Sequence, residues 1–287
     1  MHPVQWWHVR SLVIAVTAHC LIIGPADASD EATLDQARVA FARDDFAEAV
    51  ESASHVIDRD STNVEARVLR ARAHVALRQP ETAVADFDAA LRLKPERAEL
   101  YNARGSARFQ AGDVAGSIDD FDHYIKMRPA EERGHWKRGI SYYYAGQFDK
   151  GRRQFEAYQT FDDNDVENAV WRYLCTAREV NVEEARQTLL KIKADRRVPM
   201  MKVYDLFAGR ATPDNVLAAA RSGDPTAEQL NERLFYAHLY IGLYHEAAGD
   251  EDLARRHITR AATRHLIAHY MWDVARVHAD RLAKKPN

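Results

Sequence analysis

Cysteine is almost missing from this 287-residue chain, which has only Cys20 and Cys175. Too few thiols exist for a disulfide framework, so packing must supply the stability. Glycine and proline are also sparse, 12 and 9 residues, which excludes a large disordered fraction. Charge of one sign is not in excess: 40 Lys and Arg stand against 43 Asp and Glu, a net charge of -3. No polybasic face for nucleic acid and no acidic tail is therefore expected. The longest apolar stretch, Ser11–Gly24, has 14 residues, short of the ~20 that cross a bilayer. Catalytic patterns are lacking too. There is no nucleophile elbow, phosphate loop, cysteine–histidine arrangement or H-E-x-x-H. The chain reads as a protein that is not an enzyme and takes no cofactor.

The first 28 residues read as an export signal. Arg10 is followed by the apolar run, and Ala26-Asp27-Ala28 supplies a small-x-small cleavage pattern before Ser29. Lipid attachment at Cys20 is not expected, because His19 stands where a lipoprotein signal has a small residue. Cleavage after Ala28 would leave Cys175 as the sole cysteine, read as a small buried hydrophobe. The expected location is the periplasm or cell envelope.

What the chain has in quantity is repetition. Ala71, Ala83, Phe87 and Pro95 recur at one constant offset as Gly105, Ser117, Phe121 and Pro129, and the first three again as Gly139, Gly151 and Phe155. A fixed period of about 34 residues is the mark of a helical solenoid, whose units bury their apolar faces only by stacking. Close helix crossing explains the small positions, which are expected to face one another. These units resemble tetratricopeptide repeats. The resemblance implies an all-α, right-handed superhelix of about six helix pairs with a C-terminal capping helix.

In order, residues 29–195 read as four repeats plus a degenerate fifth. There Tyr173 replaces the first small residue and should splay the pair. Lys191–Arg197, KIKADRR, reads as a solvated turn. Residues 196–225 read as an irregular helical connector. Residues 226–287 read as a sixth repeat, carried by Gly242, Gly249, Ala254 and Ile258, and a cap over Leu266–Leu282. The cap is expected to turn His269, Asp273, Arg276 and Asp280 to solvent. The layout, together with Leu234–Ala279 and the VYDLFAGRATPDNVLAAA segment, resembles NlpI-type cell-envelope proteins. That resemblance implies an adaptor that brings envelope proteases or hydrolases together and can dimerise.

In such a solenoid the first helix of each repeat lines the concave face. The repeat frame places Arg72, Asn102, Ser106, Phe109, Arg133, Trp136, Tyr143 and Tyr144 there. Aromatics beside amide and guanidinium groups suit a protein or peptide partner. The lysine–asparagine clamp that some of these repeats close on a C-terminal carboxylate is not expected, since its fifth position reads Val68, Asn102 and Trp136. The alternative to a scaffold is a self-associating structural solenoid. Six histidines lie between His238 and His278. They are read as hydrogen-bonded or solvated rather than metal-binding, and as a source of sensitivity to mild acid.

Overall fold

The computed structural model describes residues 28–284. The expected signal and Cys20 fall outside these residues, apart from Ala28. Five helix pairs come first: α1 (Ala28–Ala42) with α2 (Phe46–Arg59), α3 (Val64–Ala76) with α4 (Pro80–Leu93), α5 (Ala98–Gln110) with α6 (Val114–Met127), α7 (Trp136–Tyr144) with α8 (Phe148–Tyr158), and α9 (Val166–Glu179) with α10 (Val182–Gln187). The short α11 (Met200–Phe207) and α12 (Pro213–Arg221) follow. A long pair, α13 (Ala227–Ala247) and α14 (Glu251–Arg264), and the final α15 (Tyr270–Lys284) complete the chain. No strand occurs among the described residues, and none of their helices is long and apolar enough to cross a membrane. The fold is an all-α tetratricopeptide superhelix.

Local sequence sets the helix limits. Asp45, Asn63, Asp113, Asp165 and Asn181 each accept a backbone N–H at a helix start. Thr212 with Asn215 and Thr226 with Gln229 form reciprocal capping boxes. The tight turn inside each of the first four repeats has one residue in the left-handed region. Positions 44, 78, 112 and 146 fill it, one per repeat, with Asp44 (φ 61°), Arg78 (φ 61°), Gly112 (φ 85°) and Gly146 (φ 74°). Arg78 carries about 1 kcal/mol of strain there, and its side chain proves to have long-range work.

Packing keeps the expected small-against-small approach at Gly139 and Gly151, where a Cβ on Gly151 would lie 3.3 Å from the Gly139 carbonyl oxygen, and adds an aromatic seat to it. A Cβ on Gly105 would lie 2.8 Å from the Phe121 ring, and one on Gly139 would lie 2.7 Å from Phe155. The first small residue of each unit therefore seats its own second-helix aromatic. Gly242 seats Ile258 in the same way, at 2.7 Å, which makes α13 and α14 a sixth unit. The second small residue also faces the next repeat. Ser117 hydrogen-bonds Ser141 at 3.0 Å, and Gly151 sits under the buried Cys175. Tyr173 takes the place of the glycine in the fifth unit. The room it opens is filled by Phe207 of α11, edge-on at 5.0 Å.

Gly139→Ala should therefore cost about 1–2 kcal/mol net, because the overpacking penalty against a confined ring exceeds the gain in helix propensity. Trp171 is what confines the Phe155 ring. In urea titrations the double variant Gly139→Ala, Phe155→Leu should recover part of the coupling loss. Independent, additive effects would show that the two residues do not share this space.

One periodic feature lies at polar positions. Arg70, Arg104, Arg138 and Arg172 occur once per repeat, and each reaches both forward and backward along the chain. Arg104 donates to Asp120 on its own second helix (2.5 and 2.8 Å) and to Asp88 on the preceding one (2.6 Å). Arg70 bridges Asp86 and Ser54, Arg138 bridges Gln154 and Asp122, and Arg172 bridges Thr188 and Glu156. This ladder fastens successive layers from within.

Candidate functional site

The inner helices α3, α5 and α7 would leave an open concave face, but α15 lies across their C-terminal ends. Helix ends carry carbonyls without intrahelical partners. Here Arg276 donates to the carbonyl of Gln110, the last residue of α5, and Arg281 donates to the carbonyl of Tyr144, the last of α7 (2.6 Å). Cations at helix C-termini also complement the dipole. Asp273 accepts from Arg78 at 3.1 Å and from Gln110 at 2.8 Å, and Arg78 stacks over Trp272 at 4.1 Å. Tyr144 and His278 share a hydrogen bond of 2.9 Å. Asp273 and Arg276 are therefore turned inward, not to solvent as the composition of this helix suggests, while His269 and Asp280 are exposed as expected. The helix also starts later than expected, at Tyr270 rather than Leu266. The chain from His265 to His269 is not helical, so these two histidines do not share a helix face and cannot act as the i,i+4 clip their spacing allows.

This docking divides the eight proposed groove residues. Phe109, Tyr143 and Tyr144 are buried: Phe109 packs on Tyr144 and Tyr270, and Tyr143 donates to Glu246 at 3.4 Å. They are core in this structure because the C-terminal helix supplies a second wall. Asn102 and Ser106 remain half-buried. Asn102 Oδ1 pairs with His135 Nε2 at 3.1 Å, and Lys137 donates to Ser106 at 3.4 Å. Arg133 and Arg72 are both exposed, and Arg72 is stacked over Phe41 at 5.0 Å. Trp136 is half-buried at the junction, stacked on His269 and edge-on to Tyr270.

Trp136 also separates two cavities. One, of about 160 Å³, includes Asn102, His135 and Lys137. The other, of about 600 Å³, is walled by Trp136, Phe155, Tyr158 and Trp171 on one side, with Asp165, Glu167, Asp195 and Arg197 on the other. Arg197 belongs to the stretch read as a solvated turn, yet it grips three carboxylates: Glu167 at 2.5 Å, Asp165 at 2.6 Å and Asp195 at 2.6 Å. Tyr240 donates a hydrogen bond to Glu167. Burial raises Glu167 to about 7, despite the opposing pull of Arg197. Burial also pushes Asp195 upward, but the hydrogen bonds from Arg197 outweigh it and hold this carboxyl low. Trp171 Nε1 and Asn168 Oδ1, on wall residues, are buried without a hydrogen-bond partner.

The histidines form their own cluster. His238 and His257 share a hydrogen bond of 2.9 Å, and His238 stacks on His265. Among the described residues no group of three or more His, Cys, Asp or Glu side chains could hold a metal ion.

Stacked two-helix units with this packing define an α-solenoid. The tetratricopeptide-repeat family matches residues 69–135. The solved tetratricopeptide repeat protein from Parabacteroides merdae ATCC 43184 is similar, with 12% identity, 89% of this chain and 99% of that one covered, and a TM-score of 0.57. MamA protein is similar at 20% identity over 55% of this chain and 87% of its own, with a TM-score of 0.52. At these identities the likeness is one of fold. The fold is that of a tetratricopeptide-repeat solenoid, with the family's own pattern matched over residues 69–135.

Proposed function

We propose that this protein is an exported, non-catalytic scaffold that holds a protein or peptide partner on the part of its concave face that α15 leaves open. The observation that carries the reading is the position of Trp136. It is a half-buried indole on an inner helix, flanked by Asn102, Lys137 and two cavities. A large aromatic with one face unsealed beside amide and cationic groups is the usual chemistry of a binding anchor. Arg72 over Phe41 extends the same strip toward the first repeat. The signal pattern at residues 1–28 would deliver the scaffold to the cell envelope. An envelope protease or hydrolase is the partner class that the NlpI-type resemblance suggests, and a homodimer would present two such strips.

The test is a crosslinked pull-down of the tagged mature chain from its own envelope fraction, beside a Trp136→Ala, Arg72→Glu variant of unchanged melting temperature. The wild type should enrich a partner at least tenfold over the variant. Equal recovery by both would move the site off this strip. Recovery of nothing but the chain itself would favour the self-associating structural role.

A further inference from the structure

We infer that the larger cavity, of about 600 Å³, is a binding site for an organic cation, presented as a lysine or arginine side chain of the partner peptide. This rests on the scaffold reading above.

The volume is that of a ligand pocket, several times what one side chain needs, so a short stretch of peptide fits. Two independent features of its wall select the charge. The first is aromatic. Trp136, Trp171 and Tyr158 come from α7, α9 and α8 and enclose the space from three elements. Indole and phenol faces attract cations, most strongly where water is excluded. The second is the charge balance. Asp162, Asp165, Glu167 and Asp195 line the cavity against only Arg196 and Arg197, and His269 on the wall has its protonation disfavoured by burial and by Lys137. Arg197 already spans three carboxylates and has no further positive charge to give. The wall is short of cation, and burial disfavours the charged form of Glu167, which a counter-charge in the cavity would favour. A guest ammonium or guanidinium would restore the balance.

The experiment uses the mature chain and the fluorescence of Trp136 and Trp171. The probes are terminally blocked tripeptides with a central lysine, arginine or norleucine, and free putrescine. Lysine and arginine peptides should bind saturably and at least about tenfold more tightly than the norleucine peptide. Glu167→Gln and Trp136→Leu should each weaken them several-fold, with melting temperature as the control for folding. Equal binding of norleucine, or no binding of any peptide, would overturn the assignment without reference to any variant. Putrescine binding in the absence of peptide binding would overturn the peptide source. Failed partner capture with lysine-peptide binding intact would sink the scaffold reading alone, and the converse would sink only the cavity assignment.

Discussion

Arg104→Ala is expected to destabilise the protein by about 3 kcal/mol, within the range for orphaning one member of a buried ion pair. The Arg104 side chain is 14% exposed and that of Asp120 is 4% exposed. Truncation leaves the Asp120 carboxylate in a poorly solvated layer with only Arg108, at 3.0 Å, to answer it. Without that second arginine the cost would lie higher. Arg104→Lys should fall between, because one ammonium cannot span Asp88 and Asp120 as the planar fork does. Arg138→Ala should cost about half as much. Its partner on the second helix of its own repeat is the neutral Gln154, and its acidic partners Asp122 and Glu132 are well exposed. Urea unfolding of the three variants is the measurement. A cost for Arg138→Ala equal to that for Arg104→Ala would mean that the buried carboxylate is not what sets the scale.

Lowering the pH from 7 to 5.5 should remove about 1–2 kcal/mol of stability through buried imidazoles that must take up protons on unfolding. Burial, with Arg138 adding, pushes His135 down to about 4. Burial and the neighbouring His257 and His265 push His238 down to about 3, and burial lowers His257 to about 4. Unfolded histidine titrates near 6.5. These groups therefore contribute their full stability above about pH 6.5 and lose it as pH falls toward 3–4. Glu167 acts in the opposite sense. Its folded value of about 7 lies above the ordinary carboxyl range, so stability returns as it takes up its proton between pH 7 and about 4.5. Each proton moves about 1.4 kcal/mol per pH unit. His135 and His238 are 8% and 2% exposed and count fully. His257 is half-buried and is discounted. The balance favours loss. Thermal melts should fall by roughly 3–6 °C over this range, and Glu167→Gln, which lacks the compensating proton, should fall further. A flat profile in both proteins would show that these imidazoles are not held neutral.

The constant period made the repeats legible because close helix crossing demands small residues at fixed places, and Gly105, Gly139 and Gly242 hold them. Capping chemistry is equally local, and Asn181, Thr212 and Thr226 each sit at a helix start. The arginine ladder was visible in principle, as Arg70, Arg104, Arg138 and Arg172 with polar or acidic partners at a constant spacing on either side. Polar residues in a periodic pattern suggest a solvated face, and that reading hid it. The seat of α15 was not legible. Asp273 and Arg276 look like solvent-facing residues within their own helix, and the partners that bury them lie far back in the sequence, in α5. Hence Phe109, Tyr143 and Tyr144, correctly placed on the inner helices, became core. Arg197 was missed for a related reason: a basic run gives no sign of the three carboxylates that fold around one of its members.

Helical repeat arrays commonly change length by gaining or losing a unit, since each unit touches only its neighbours. The seat of α15 removes that freedom. At 15 residues this helix is about 22 Å long, and it already runs from the turn after α3 to the end of α7. An extra unit between α5 and α7 would part these anchors by about another 10 Å. Arg276 and Arg281 could then no longer reach Gln110 and Tyr144 together. The number of repeats between α3 and α7 is thus counted by the last helix of the chain, which measures the distance between the repeats it closes.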